Sequence, residues 1–328
     1  MKIRAYAKIN LALDVVSERE DGYHELDMIM APIVLHDLIL IDPIEKGIEI
    51  TTNTYRVPTD ERNIMYKVAD ALIKKFDIQS GVRIHCYKHI PSQAGMGGGS
   101  ADGAAIFRAM NSLFHLRMSY QDMCEMGKEI GADIPFCVWN RIAVVGGIGE
   151  NLHFIDRSRF NCHFLIVKPK KGVSTKKCFD DLDIETAVHP DIDLMKHAIE
   201  KNDYQGVVDC LGNTLEAPSI KMVQDIQSIK DDMMNFGFDG ALMSGSGSSA
   251  SPLTMTSWTH WSSRSARNTP PCRPAWTMRS SSSMSRRCRK LCGSIWTARL
   301  SLLPSPSALP NLPHPKRRIV SRRPWQPW

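Results

Sequence analysis

From Ser251 to Trp328 the sequence has no Asp or Glu, no Phe or Tyr, and a single glycine, Gly293. Nothing in that stretch can neutralise its 12 Arg and 2 Lys, and it also holds six of the seven Trp and 11 of the 19 Pro. Residues 1–250 carry the other 27 basic residues against all 35 acidic ones, so a formal net charge of +6 conceals an acidic part followed by a strongly basic one. A single folded unit rarely changes composition this abruptly. An Arg-rich tail can neutralise phosphates, so a nucleic-acid-binding protein acting through residues 250–328 is one reading of the whole chain. Retention on nucleic acid that depends on salt, and on the tail, would mark it.

Other absences narrow the class. The nine cysteines include no C-x-x-C pair, which argues against zinc, iron–sulfur and disulfide frameworks and leaves buried free thiols; no metal-ligating residues are expected. No apolar run is long enough to span a bilayer: the best, Met28 to Ile41, is broken by Pro32, His36 and Asp37. With no charged-then-apolar leader, the expectation is a soluble, cytoplasmic protein without a membrane partner.

What is present centres on Pro91-Ser92-Gln93-Ala94-Gly95-Met96-Gly97-Gly98-Gly99-Ser100. Gly95, Gly97, Gly98 and Gly99 lack Cβ atoms, so the backbone can take positive φ and bring its N–H groups close to an anion. Ala104 to Phe114 has helical composition, so the loop opens onto a helix N-terminus, where unpaired amides and the macrodipole favour phosphate. A flexible connector is the plain alternative. No Gly-Lys-Ser/Thr closes the loop and the dinucleotide spacing is missing, which leaves a nucleotide site of another design.

Around the loop the periodicities alternate between sheet and helix. Ile3 to Leu13 alternates as a half-buried strand, with Lys8 and Asn10 on the polar face, where solvent exposure is their plain reading. Asp21-Gly22-Tyr23-His24 reads as a turn, and Leu35–Ile41 and Gly47–Thr52 as strands. Asn63–Phe76 is amphipathic at helical period, and Val82–Tyr87 is the strand that feeds the loop. Ser119 and Asp122 form a capping pair, with Gly131 ending that helix. Asp133, just before Ile134-Pro135, reads as a helix cap. Gly146–Glu150 suggests a hairpin that closes a first domain near residue 158. A strand at Cys162–Val167 opens a second, and a helix capped by Ser174 or Thr175 follows it, then helices at Asp193–Lys201, Tyr204–Leu211 and Pro218–Phe236. Gly240–Ser249 gives a strand running into a second glycine-serine loop.

Three separated pieces, the lysine-bearing first strand, the loop Pro91–Ser100 and the loop Gly240–Ser249, together resemble the motifs of the GHMP small-molecule kinases. Ala7-Lys8-Ile9-Asn10-Leu11, Asp21-Gly22-Tyr23-His24-Glu25-Leu26 and Gly131-Ala132-Asp133-Ile134-Pro135-Phe136 are similar to the branch whose substrate is cytidine-diphosphate-linked methylerythritol. The resemblance covers about residues 1–249. Ala101 stands where the family more often has a second serine, Gly103 where alanine is common, and Asn140 where glycine is usual.

The resemblance implies an α/β (mixed α+β) two-domain GHMP kinase fold with the active site in the interdomain cleft. An ATP-binding domain would occupy 1–158 and a C-terminal domain 159–249. It implies ATP-dependent phosphorylation of the substrate's 2-hydroxyl, a step of non-mevalonate isoprenoid precursor synthesis; a mevalonate-pathway or homoserine kinase is the alternative within the family. It also reverses the plain readings of two residues. Asp133 becomes the general base and Lys8 the cation that orients it. Gly95, Gly97, Gly98, Gly99 and Ser100 would hold ATP phosphates, with Mg²⁺ bridging them, and Asn63 would lie near the adenine. Tyr23, His24 and Phe179 would grip the cytosine, with Asn10, Thr175, Ser246 and Gly247 completing the substrate site. No nucleic-acid partner is then expected. The family's third loop runs into an apolar strand and a closing helix, whereas here Ala250-Ser251-Pro252 opens a Ser/Arg/Pro/Trp-rich tail. We expect residues 250–328 to arise from a reading-frame shift after Ser249 and to add no ordered domain.

Overall fold

The computed structural model describes residues 1–92, 94–155, 160, 162–245 and, as backbone strands, 251–256 and 292–300. A long antiparallel pair forms the centre of the first sheet. β1 (Lys2–Glu18) runs against β2 (His24–Ile44) across a turn where Gly22 has φ 78°. Register shifts fall between Tyr6 and Lys8, Asn10 and Ala12, and Val15 and Ser17. β2 is far longer than the predicted Leu35–Ile41, because Met28–Ile33 is buried without alternation, and a strand covered on both faces shows no period-2 pattern. β1 departs from expectation in the same way: every residue from Ala7 to Leu13 is buried, so its polar face does not meet water.

The remaining elements of the first half follow in order. They are β3 (Ile48–Thr52), α1 (Ile64–Lys75), β4 (Gly81–Tyr87), α2 (Gly98–Leu113), α3 (Tyr120–Lys128), α4 (Ile134–Trp139), β5 (Ala143–Gly147) and β6 (Asn151–Phe154). Ser119 and Asp122 make the predicted reciprocal cap on α3: Ser119 N donates to Asp122 Oδ2 at 2.7 Å and Asp122 N to Ser119 Oγ at 3.1 Å. α2 begins at Gly98, six residues earlier than its composition suggests, so half of the glycine loop is already the first turn of a helix. It packs against α1, α4 and β1.

The second half contains β7 (Cys162–Pro169), α5 (Thr175–Asp180), α6 (Ile192–Lys201), α7 (Tyr204–Asp209), β8 (Gly212–Asn213), α8 (Glu216–Met222), α9 (Asp225–Asn235), β9 (Gly240–Ser244), β10 (Ser251–Thr256) and β11 (Cys292–Leu300). The single helix expected over Pro218–Phe236 is two, because Val223 takes an extended φ of −138° between them. The first sheet has the order β3-β4-β2-β1-β8, with β5 on β2 and β6 on β5; the second has the order β11-β7-β10-β9.

Two strands of the second sheet come from the basic tail, which was expected to add no ordered domain of its own. β10 pairs antiparallel with both β9 and β7, and β11 with β7. Proline removes one ladder donor, and Pro252 stands second in β10, where that loss falls at the end of the ladder. The tail outside these strands lies beyond the described residues, as does the boundary expected near 158. One apolar core runs through both halves, joining Ile9, Phe107 and Phe136 to Phe164 and Ile199, and β8 adds to β1 in parallel beside it.

Candidate active site

The polar face of β1 is covered by the glycine loop. Lys8 N donates to Met96 O at 3.1 Å, and a Cβ on Gly97 would stand 3.0 Å from Lys8 Cγ and 3.6 Å from Asp133 Oδ2. The loop can lie this close to the lysine stem only because Gly97 has no side chain, and its φ of 63° is one that few other residues tolerate. The close fit buries Lys8 and Asn10. Lys8 Nζ donates to Asn10 Oδ1 at 3.0 Å and lies 3.4 Å from Asp133 Oδ2.

Asp133 occupies the N-cap position of α4, yet its side chain caps nothing; its backbone is already helical, at φ −81° and ψ −7°. Its carboxylate, 31% exposed, therefore keeps lone pairs free beside a cation that is almost wholly buried. Such a pair can take a proton from a hydroxyl placed against it and offset the charge that develops on the oxygen. Cys137, four residues on, is inert: burial, then Asp133, pushes its thiol far above its ordinary range.

Gly97 provides no side-chain cap to α2, and no acidic residue lies in the first turn. The amides of Gly98, Gly99 and Ser100 thus lack intrahelical partners, at the helix end whose Ser100 lines the same cleft as Lys8 and Asp133. The third motif lies behind them. Asn10 N donates to Ser244 Oγ at 2.9 Å, and Asn213 Nδ2 donates to Met243 O at 2.7 Å and Gly245 O at 3.1 Å, so buried groups tie the second sheet to the first-strand motif.

In the same cleft, His24 at the start of β2 packs its ring against Phe179 of α5, with ring centroids 4.7 Å apart and planes tilted by 36°. Ser174, and not Thr175, caps α5, accepting from Lys177 N at 3.4 Å. Tyr23, 61% exposed, stands at the mouth on a turn braced by Arg19, which is paired with Asp21 and Glu25.

The cleft encloses about 510 Å³, and Lys8, Asn10, Tyr23, His24, Ser100, Asp133 and Phe179 all line it. Of the other predicted site residues, Thr175 does not line it, and Gly95, Gly97, Gly98 and Gly99 form the backbone beside it. Ser246 and Gly247 lie outside the described residues. Asn63 is the N-cap of α1: its Oδ1 accepts from Met65 N at 2.8 Å and its Nδ2 donates to Pro58 O at 2.6 Å. It thereby braces a second depression of about 710 Å³ between Thr52 and Arg62, without lining it. Lys176 and Asp180 also line the main cleft and were not anticipated, nor were Ser244 and Asn213 behind it. A charged pair on one short helix resembles any solvated face, and ties between residues 30 to 234 positions apart leave no local signal.

The GHMP kinases N terminal domain family matches residues 63–141. A 4-diphosphocytidyl-2-C-methyl-D-erythritol kinase of Clostridium kluyveri is 44% identical over 251 residues, 76% of this chain and 89% of that protein. One of Bacillus cytotoxicus is 42% identical over 246 residues, 75% of this chain and 85% of that protein. A crystal structure of a 4-(cytidine 5'-diphospho)-2C-methyl-D-erythritol kinase superposes with a TM-score of 0.72 at 26% identity, covering 92% of this chain and 99% of the other. L. major mevalonate kinase shares the fold alone, with a TM-score of 0.62 at 15% identity over 92% of this chain and 96% of that one.

Proposed function

The chain belongs to the 4-diphosphocytidyl-2-C-methyl-D-erythritol kinases of the GHMP family, and from that premise we propose how its own residues perform the reaction. It is an ATP-dependent kinase acting on the cytidine-diphosphate-linked methylerythritol of isoprenoid precursor synthesis. Asp133 takes the proton from the substrate's 2-hydroxyl. Lys8 holds the carboxylate in place, assisted by Asn10, and stabilises the oxygen as its charge grows. ATP would supply the γ-phosphoryl group, and Mg²⁺ bound with it would offset the charge on its phosphates. The uncapped amides of Gly98, Gly99 and Ser100, with Gly95 and Gly97 shaping the turn, hold the phosphates in line with that oxygen. Asn63 supports the wall against which the adenine lies.

One observation carries this reading: a single cleft is lined both by the Lys8–Asp133 pair and by the His24–Phe179 ring pair. A cleft with both an aromatic pair and a carboxylate–ammonium pair suits a substrate that carries a base and a reacting alcohol. Tyr23 closes over the base, and Thr175, Ser246 and Gly247 complete the substrate site. The test is a substrate panel. Cytidine-linked methylerythritol should be phosphorylated in preference to the uridine-linked compound, mevalonate and homoserine. Preference for either of the last two would move the chain to another branch, one that has no use for the aromatic pair in the cleft.

No helix among the described residues is long and apolar enough to cross a membrane, and a cytoplasmic location is part of the proposal. So are an ATP-binding domain at 1–158, a C-terminal domain at 159–249, and a tail at 250–328 that binds no nucleic acid. The tail is proposed to result from a frame shift. Translating the coding DNA after the Ser249 codon in the other two frames should yield an apolar strand followed by an Asp/Glu/Lys-rich amphipathic helix. If neither frame does, the tail is native.

A further inference from the structure

Beneath the glycine loop lies an ionic cluster that the reaction as described does not use. Asp37 of β2 is fully buried: its Oδ1 accepts from the backbone N–H groups of His89 and Ile90 at 2.5 and 2.8 Å, and its Oδ2 from Lys88 Nζ at 2.5 Å. The same ammonium donates to Asp102 Oδ2 at 2.6 Å, on the fifth residue of α2. Lys88 thus bridges the sheet to the phosphate-facing helix. Its Nζ lies 3.5 Å from where a Gly98 Cβ would be, so the ammonium reaches the first residue of that helix. Asp102 Oδ1 is buried with no hydrogen-bond partner.

Two carboxylates against one ammonium leave a net negative charge, out of water, within a turn of the amides that are to hold phosphate. That arrangement opposes an anion unless one carboxylate is neutral. The hydrogen bonds say which: Asp37 accepts three and Asp102 one, so a proton costs least on Asp102. We propose that Asp37, Lys88 and Asp102 are positioning residues that set both the register and the charge of the phosphate loop, Asp102 taking one proton from solvent as the nucleotide's phosphates bind. The inference rests on the nucleotide reading of that loop. Burial pushes the Asp102 carboxyl up to about 7, against the pull of Lys88 and with a push from Asp37. The other titratable groups facing it are thiols, Cys86 of β4 and, more distantly, Cys137 of α4, and burial holds both neutral.

The sign follows from linkage. Nucleotide affinity is full below the Asp102 pKa and falls as pH rises through it, because binding must then supply the proton. Isothermal titration of the full chain with MgATP, without the second substrate, in two buffers of different ionisation enthalpy counts that proton. At pH 8 the phosphates of MgATP are already ionised, so the uptake belongs to the protein. Wild type should take up close to one proton per nucleotide at pH 8 and almost none at pH 5.5, and D102N almost none at either. The KM for ATP should rise by up to about tenfold per pH unit above 8 in wild type and stay flat in D102N, with kcat changing far less. A purely structural role would not move the proton count. If D102N does not fold, the two pH values in wild type decide alone. No uptake at pH 8, or equal uptake in D102N, overturns the triad's role and leaves the nucleotide site standing; no binding of MgATP by wild type overturns the nucleotide reading itself.

Discussion

Gly95 and Gly245 meet back to back: a Cβ on Gly245 would lie 3.1 Å from both Cα and O of Gly95, and a Cβ on Gly95 would lie 3.0 Å from Ser244 O. The two glycine loops, 150 residues apart in the chain, thus fix one another through their backbones, and both take positive φ, 67° and 90°. Gly245→Ala therefore combines strain at positive φ with a clash against the phosphate loop. Gly47→Ala is the matched control, because Gly47 has φ 83° and a Cβ there would meet nothing within 4 Å. Each should lose about 1–3 kcal/mol from backbone strain. Only Gly245→Ala should also raise the KM for ATP, as steady-state kinetics on both variants would reveal.

Asp133→Asn separates a base from a cap. The amide keeps size and hydrogen bonding but cannot take the proton, so turnover should fall by about 10²–10⁴ with little change in the KM for ATP. Because the Asp133 side chain caps no helix amide, any loss of stability should come from the Lys8 ammonium left without its carboxylate and not from the helix. A loss of several degrees with turnover intact would return the residue to a structural role. Lys8→Met should lower turnover comparably.

His24→Ala removes one face of the stack with Phe179. Stacking tolerates any base, so discrimination must come from polar contacts to the base edge, and buried groups left unpaired penalise the wrong base. The variant should weaken binding of the cytidine-linked substrate far more than of ATP and narrow the preference over the uridine-linked one. Equal KM increases for both substrates would place His24 in the general packing of the cleft.

Much of this arrangement was legible locally. Asn63 and Phe76 bound α1 at the limits the apolar period suggested, and the Ser119–Asp122 cap is local chemistry. Periodicity failed where tertiary contacts replaced water. It assigned Lys8 and Asn10 to a solvent face because a strand does not announce that a glycine loop will cover it. Only the joint resemblance of several motifs pointed inward. It read Asp133 as a cap because N-cap position and N-cap hydrogen bond are separable, and here they are separated. The Asn213 and Ser244 ties and the Asp37–Lys88–Asp102 cluster join distant residues, which no window of sequence contains. Pro252, second in β10, removes a single donor at the end of the ladder.

Two departures from the family pattern make predictions of opposite sign. Asn140 ends α4 at φ 54° and ψ 44°, the left-handed conformation that glycine enters without cost. Asn140→Gly should therefore stabilise the protein by up to about 1 kcal/mol, relieving part of the left-handed penalty. Gly103 is the reverse case. Alanine there would gain about 1 kcal/mol of helix propensity, but its Cβ would stand 2.6 Å from Ile64 Cγ2 and 3.4 Å from Ile134 Cδ1. That methyl is attached directly to the Ile64 Cβ and cannot swing away, so overpacking of about 1–3 kcal/mol should outweigh the gain. Gly103→Ala alone should lower the unfolding temperature. In an Ile64→Ala background the obstructing methyl is gone, and the same change should raise it. A double-mutant cycle read by chemical denaturation isolates the coupling. If Gly103→Ala has the same sign in both backgrounds, Ile64 does not set the cost of a side chain at residue 103.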